Sequence, residues 1–428
     1  YVMTCILLVA FGAIFLYKSY ALYEEKKDFN VINGQVEEPG DLYFAYYVNG
    51  TISKDVPTKD SGLTLDTTKS SCNSGVTVSW DDDNWHAILD YSTYTANSTT
   101  RTKCTLYFKS KPVMATTLLN NLVSSANTSS TDVYTVPNKT SDSCTYTLAY
   151  DGTSDNNLRY VGANPCNYVT FNGEKAGWRI IGILNTPEGQ RMKLIRTNSL
   201  RNYSWDNKAS GTGSSTSKFG SNDWTDSTLK EILNNGAYYN RISGTCPYGS
   251  SGSTTSCDFT SNGLTEASKN QIDTITWKLG GTANYNSSSN GLASHWYTYE
   301  RGTTVYTGRP TEWPGKVGLM YPSDYGYATS GGSTSTRTSC LAKELYNWDS
   351  SSYSDCKNND WLFDSSTPQW TLTPYSSNST AVFSVYSAGV VRYYIAYLRI
   401  AVRPSVYMIS KTAILGGEGT LENPYEIG

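Results

Sequence analysis

Apolar and polar positions divide the chain into stretches of different character. Tyr1 to Tyr17 (YVMTCILLVAFGAIFLY) carries no charge. As a helix it would reach about 25 Å, short of the roughly 30 Å hydrocarbon core of a bilayer. Lys18, Glu24, Glu25, Lys26 and Lys27 follow, so residues 1–21 read as a retained signal anchor or a cleaved signal-peptide core. A charged connector, 22–40, ends at Pro39-Gly40. From Asp41 to Lys109 the runs LYFAYYV, GVTVSW, HAILDY and KCTLYFK alternate apolar and polar residues between turn signals, predicting a small β domain over 41–109. Residues 110–143 are rich in Ser, Thr and Asn and read as a linker with a short helix near Ala115–Val123. The remainder, 144–428, reads as one larger domain of short strands (NYVTFNG, GWRIIGIL, RMKLIRT, QWTLTP, AVFSVYS, VVRYYIAYLRI). Helix signals within it are few: Thr225–Gly236, Thr265–Ile272 and Ser339–Tyr346. The predicted class is α+β, mostly β, with an apolar helix at the N-terminus.

Composition narrows the function classes. The chain has 428 residues, of which 17% are charged and 13% aromatic, so it is neither a coiled coil nor disordered throughout. A net charge of −3 gives no electrostatic case for a nucleic-acid partner. Setting aside Cys5 in the apolar run leaves Cys72, Cys104, Cys144, Cys166, Cys246, Cys257, Cys340 and Cys356. None has the close spacing of a zinc site, and neighbours pair naturally as 72–104, 144–166, 246–257 and 340–356. Local disulfides persist only outside the reducing cytosol, which with the apolar leader predicts an exported protein at the cell surface, membrane-anchored through that helix, with extracellular domains.

Candidate chemistry is sparse. His86 and His295 are the only histidines, and no nucleophile elbow, phosphate loop or HExxH motif is present. His295 near Glu300 could act as a base but reads better as a packing residue. Asp81-Asp82-Asp83-Asn84 reads as a hairpin turn. Around Gly152, the oxygens of Asp151, Asp155 and Asn156 offer a weak structural calcium site against a plain turn loop; no other cofactor is expected. The most informative stretch lies between Trp370 and Arg403. Trp370, Tyr375, Asn378, Tyr386, Tyr393, Tyr394, Tyr397 and Arg399 form the candidate ligand face, because Tyr supplies broad amphipathic contact at low entropic cost and Asn and Ser adapt their hydrogen bonds.

The ordered series WRIIGIL, KLIRTNS, YSWD, GLMYPSDYGYATSGG, CLAKELYNW, WTLTPYSS, VRPSVYM and GGEGTLENPYEI, with LYKSYALYEEKKDFNVINGQV at the front, resembles a family of exported, N-terminally anchored surface proteins of gut Gram-positive bacteria. The resemblance implies a C-type-lectin-like C-terminal domain in its formylglycine-generating-enzyme variant. In some lectin-fold proteins the final strands are the ligand face, diversified by retroelements that enrich Tyr, Asn and Ser. The chain departs from calcium-dependent lectins, since Glu-Pro-Asn, Gln-Pro-Asp and Trp-Asn-Asp are missing and Asn222-Asp223-Trp224 only echoes the last. No catalytic residue carries over. The expectation is a surface-anchored, adhesin-like protein binding a glycan or protein ligand non-covalently. The alternatives are a self-associating, pilin-like or wall-associated filament subunit and, more remotely, an exported hydrolase using two carboxylates.

Overall fold

The computed structural model describes residues 42–48, 50–59, 62–73, 75–81, 84–93, 102–128, 133–136, 144–208 and 219–428. The apolar run, the connector, and Asp82 and Asp83 of the Asp81–Asn84 turn lie outside the described residues. Among the described residues no helix is long and apolar enough to cross a membrane. The architecture is mostly β, with 37% strand against 17% helix, in several sheets joined by short helices. Two compact units divide at Pro112 and Val113.

The first unit is built on Thr102–Ser110, whose alternation buries Cys104, Leu106 and Phe108 and turns Lys103 and Lys109 outward. Leu42–Val48 pairs with it in parallel, while Leu63–Leu65 and Ser71–Cys72 pair antiparallel. Cys72 lies directly opposite Cys104, and the two are bonded. A hairpin, Thr77–Asp81 with His86–Asp90, brings Trp80 edge-on to both Trp85 and Phe108, each at 5.1 Å between centroids.

The second unit contains a twelve-stranded sheet and a smaller five-stranded one. Glu174–Thr186 and Gly189–Arg196 form the long hairpin of the larger sheet, and Trp178 to Leu184 is buried throughout; at Gly182 a side chain would run into the Leu158 carbonyl. The smaller sheet runs in the order Asn202–Tyr203, Ile400–Ala401, Gln369–Pro374, Ala381–Val385, Val391–Ile395. Its last member is an edge strand. The other three cysteine couples are bonded as their spacing predicts: Cys144–Cys166, Cys246–Cys257 and Cys340–Cys356.

The linker reading of 110–143 is corrected. Val113–Met114 pairs with Ala413–Gly416, the helix Ala115–Ser124 buries Leu119 and Leu122 in the main core, and Tyr134–Thr135 pairs with Thr147–Tyr150. Two leucines one helical turn apart are enough to dock a helix whose outer face is Ser, Thr and Asn, so composition understated its role. The helices at 225–236 and 265–272 form as Thr228–Asn234 and Glu266–Gln271, capped by Ser227 and Thr265. The third begins earlier, at Arg337–Leu341, capped by Thr336. Ala293–Arg301 and Pro322–Tyr327 gave no amphipathic signal, because Pro322–Tyr327 is buried all round and Ala293–Arg301 is aromatic on several sides.

Candidate functional site

The smaller sheet presents Tyr375 at one end. Gln369–Pro374 finishes there, Ala381–Val385 begins there, and Val391–Ile395 runs back to it, opposite Ala381. The loop 375–380 between the first two is pinned from below by Asn222, whose buried side-chain amide donates to the carbonyls of Tyr375, Asn378 and Ala381. Its oxygen accepts from Arg309 Nε at 3.0 Å. The Asn222-Asp223-Trp224 echo is thus a framework element. Asn378 closes the loop on itself, accepting from the Thr380 amide and hydroxyl at 2.9 and 2.8 Å.

Neighbouring residues of a strand point to opposite faces, so the candidate patch resolves into three groups. Tyr375 and Tyr393 stack in parallel, 4.2 Å between centroids with planes 6° apart, and Tyr285 and Phe383 meet them edge-on. Phe383 is fully buried, whereas Tyr393 is 37% exposed. Tyr394, on the other face of the strand, sits 5.8 Å from Tyr386. Tyr397 stacks on Phe219 at 5.5 Å, and Arg399 lies over the Tyr248 ring at 4.6 Å. Arg392 covers Tyr346 at 4.6 Å, and its outer nitrogen stands 3.9 Å from Asp349. Trp370 is a correction. Only 1% exposed, it donates its indole N–H to the Tyr203 carbonyl and belongs to the core, because its strand is buried on both faces.

The calcium candidate lies in a turn loop held together by protein groups. Asp151 Oδ1 accepts from the Thr153 amide, the Thr153 hydroxyl and the Asn157 amide, and Oδ2 accepts from Asn157 Nδ2 and Arg159 Nε. Asn156 takes the left-handed conformation at φ 46°, which Asn tolerates, and Tyr297 donates its hydroxyl to Asp155. Among the described residues no group of three or more His, Cys, Asp or Glu side chains is placed to hold a metal.

A second arrangement escaped sequence reasoning altogether. Arg159, fully buried, bridges Asp151 at 3.0 Å and Asp324 at 2.9 Å, while Lys193 reaches the other oxygen of Asp324 at 2.5 Å. The Lys193 ammonium is wrapped by the rings of Tyr321, Tyr407 and Trp277 at 4.5, 5.1 and 5.4 Å. Burial pulls the Lys193 amine down to about 8 against the attraction of Asp324. Burial alone would raise Asp324, but Lys193 and Arg159 outweigh it and leave this carboxyl below its ordinary range. Glu300 accepts from the Ser323 amide and hydroxyl, yet burial raises it to about 7 despite Arg301 at 3.3 Å. Scattered over four segments, these residues offered no spacing to recognise. Above them opens a cavity of about 280 Å³ whose lining includes Asp155, Thr276, Lys278, Arg301, Tyr321 and Tyr407. Its charges are already engaged: Lys278 with Glu312, and Arg301 with Glu300, the Tyr297 ring and, at 3.9 Å, Asp155.

Set against protein-family models, curated proteins and solved structures, the chain shows no match.

Proposed function

We propose that this is an exported, surface-anchored recognition protein that holds a glycan or protein ligand non-covalently at the tyrosine-rich end of the smaller sheet, on a C-type-lectin-like second unit. The observation that carries the reading is the Tyr375–Tyr393 stack, half-exposed on an edge strand and on a loop pinned by a buried asparagine. Rigid aromatic rings on a fixed loop lose little conformational freedom on contact, which is what a binding surface requires. Arg392 and Asp349 add a polar pair at its rim. The four bridges suit a loop-rich body working in an oxidising setting, and the uncharged Tyr1–Tyr17 run supplies an anchor.

The test is a screen of the full chain against glycan arrays and extracellular proteins, followed by Tyr375→Ala and Tyr393→Ala. Saturable binding that weakens by about tenfold or more in each variant supports the assignment, the size expected of a central aromatic contact. Saturable binding indifferent to both variants removes this site.

A further inference from the structure

The segment after the edge strand carries a chemistry that the tyrosine stack lacks. The guanidinium carbons of Arg399 and Arg201 lie 4.6 and 5.6 Å from the centroid of one ring, Tyr248. Both arginines are exposed, and among the described residues no carboxylate forms an ion pair with either. Arg392, within the edge strand, has Asp349 at 3.9 Å. Two like charges sharing one ring repel each other, and an anion between them would relieve that repulsion.

The arrangement is held from behind. Ser204 is fully buried, donates its hydroxyl to the Tyr397 carbonyl at 2.6 Å and accepts from the Gly249 amide at 2.9 Å, tying the two loops that carry Arg399 and Tyr248. Cys246–Cys257 closes the hairpin that presents Tyr248. Tyr397, two residues before Arg399, stacks on Phe219 with planes 29° apart, and Phe219 is 42% exposed.

We infer that Arg201 and Arg399 form an anion subsite for the carboxylate of a hexuronate, with the sugar ring packed on Tyr397 and Phe219. The inference rests on the recognition reading and names a ligand class for it. Guanidinium forks match a carboxylate in geometry as well as charge. A ring carrying a single acid group suits one uncompensated cation pair beside an aromatic surface. A strongly acidic peptide would instead want cations spread over a wider surface, whereas Arg392 already faces Asp349.

The experiment titrates the full chain with oligogalacturonate, its methyl ester and a neutral galactan oligomer, followed by calorimetry. The acid form is expected to bind, to weaken with added salt, and to weaken about tenfold in Arg399→Gln and again in Arg201→Gln, the loss of one charge-assisted hydrogen bond each. The ester is expected to bind at least about tenfold more weakly than the acid. Failure of the acid form to bind, equal binding of acid and ester, or indifference to both substitutions overturns the inference. Preferential binding of a polyglutamate peptide through the same arginines overturns the sugar assignment. Neutral oligomers that bind, and are lost in Tyr393→Ala but not in Arg399→Gln, leave the recognition site standing and remove only the anion subsite.

Discussion

In the buried centre of the second unit, Arg159 and Lys193 lie against tyrosine rings and are paired with Asp151 and Asp324. On the surface of the second unit, Tyr375 stacks on Tyr393, Arg392 covers Tyr346, and Arg399 and Arg201 face Tyr248; among the described residues the one carboxylate contact of these three arginines is Asp349, at 3.9 Å. The residue types are the same and the accounting is opposite. Inside, each cation meets an acid and the rings close around it, as a charge withdrawn from water requires. Outside, two of the cations have no acid among the described residues, which costs little in water and leaves capacity for a partner. Composition alone cannot separate these uses; the position of the carboxylates does.

The contrast can be broken most severely from the inside. Arg159→Ala leaves two buried carboxylates facing one lysine, and about 3–5 kcal/mol of stability is expected to be lost, measured by denaturant unfolding. A loss under about 1 kcal/mol would show that the cluster is solvated and the contrast false. Phe383→Ala and Tyr393→Ala then compare two rings in contact across that boundary. The buried phenylalanine is expected to cost about 3–5 kcal/mol, while the half-exposed tyrosine, with less area to lose, should cost under about 1.5 kcal/mol. Equal losses would make Tyr393 a core residue.

Glu300 sharpens the comparison through pH. Its folded value of about 7 lies above the ordinary 4.5, so the folded state favours the protonated acid. That contribution is fully present below pH 4.5 and is lost as pH rises through about 7. Glu300→Gln should remove a decline on the order of 3 kcal/mol across that window, seen as a flatter stability–pH profile. An unchanged profile would mean that Glu300 is ionised in place. A modest effect belongs to the turn that returns the edge strand. Gly389 sits at φ +86° with Lys357 packed against it, so Gly389→Ala should cost about 1–2 kcal/mol and loosen Val391–Ile395 in hydrogen exchange.

Much of this was legible beforehand, for identifiable reasons. The Thr102–Ser110 alternation, the helix caps at Ser227 and Thr265 and the four local bridges are short-range features, and short-range spacing encodes them. Tyr375, Tyr393 and Arg399 were readable as a surface because tyrosine and serine are dense there. Trp370 was misassigned because neighbouring residues in a strand cannot be sorted into faces until the register is known. Arg159, Lys193, Glu300 and Asp324 lie up to 165 positions apart, and only the packed sheet brings them together.

The pairing of Val113–Met114 with Ala413–Gly416, and of Ala413 with Gly428, sets the entry and exit of the second unit side by side. Its architecture is therefore closed on itself, and the linear order of its parts is a convention of the gene. Splicing 428 to 113 through a brief bridge and opening the backbone at the exposed Ser288-Ser289 turn should yield a rearranged chain with the same interior.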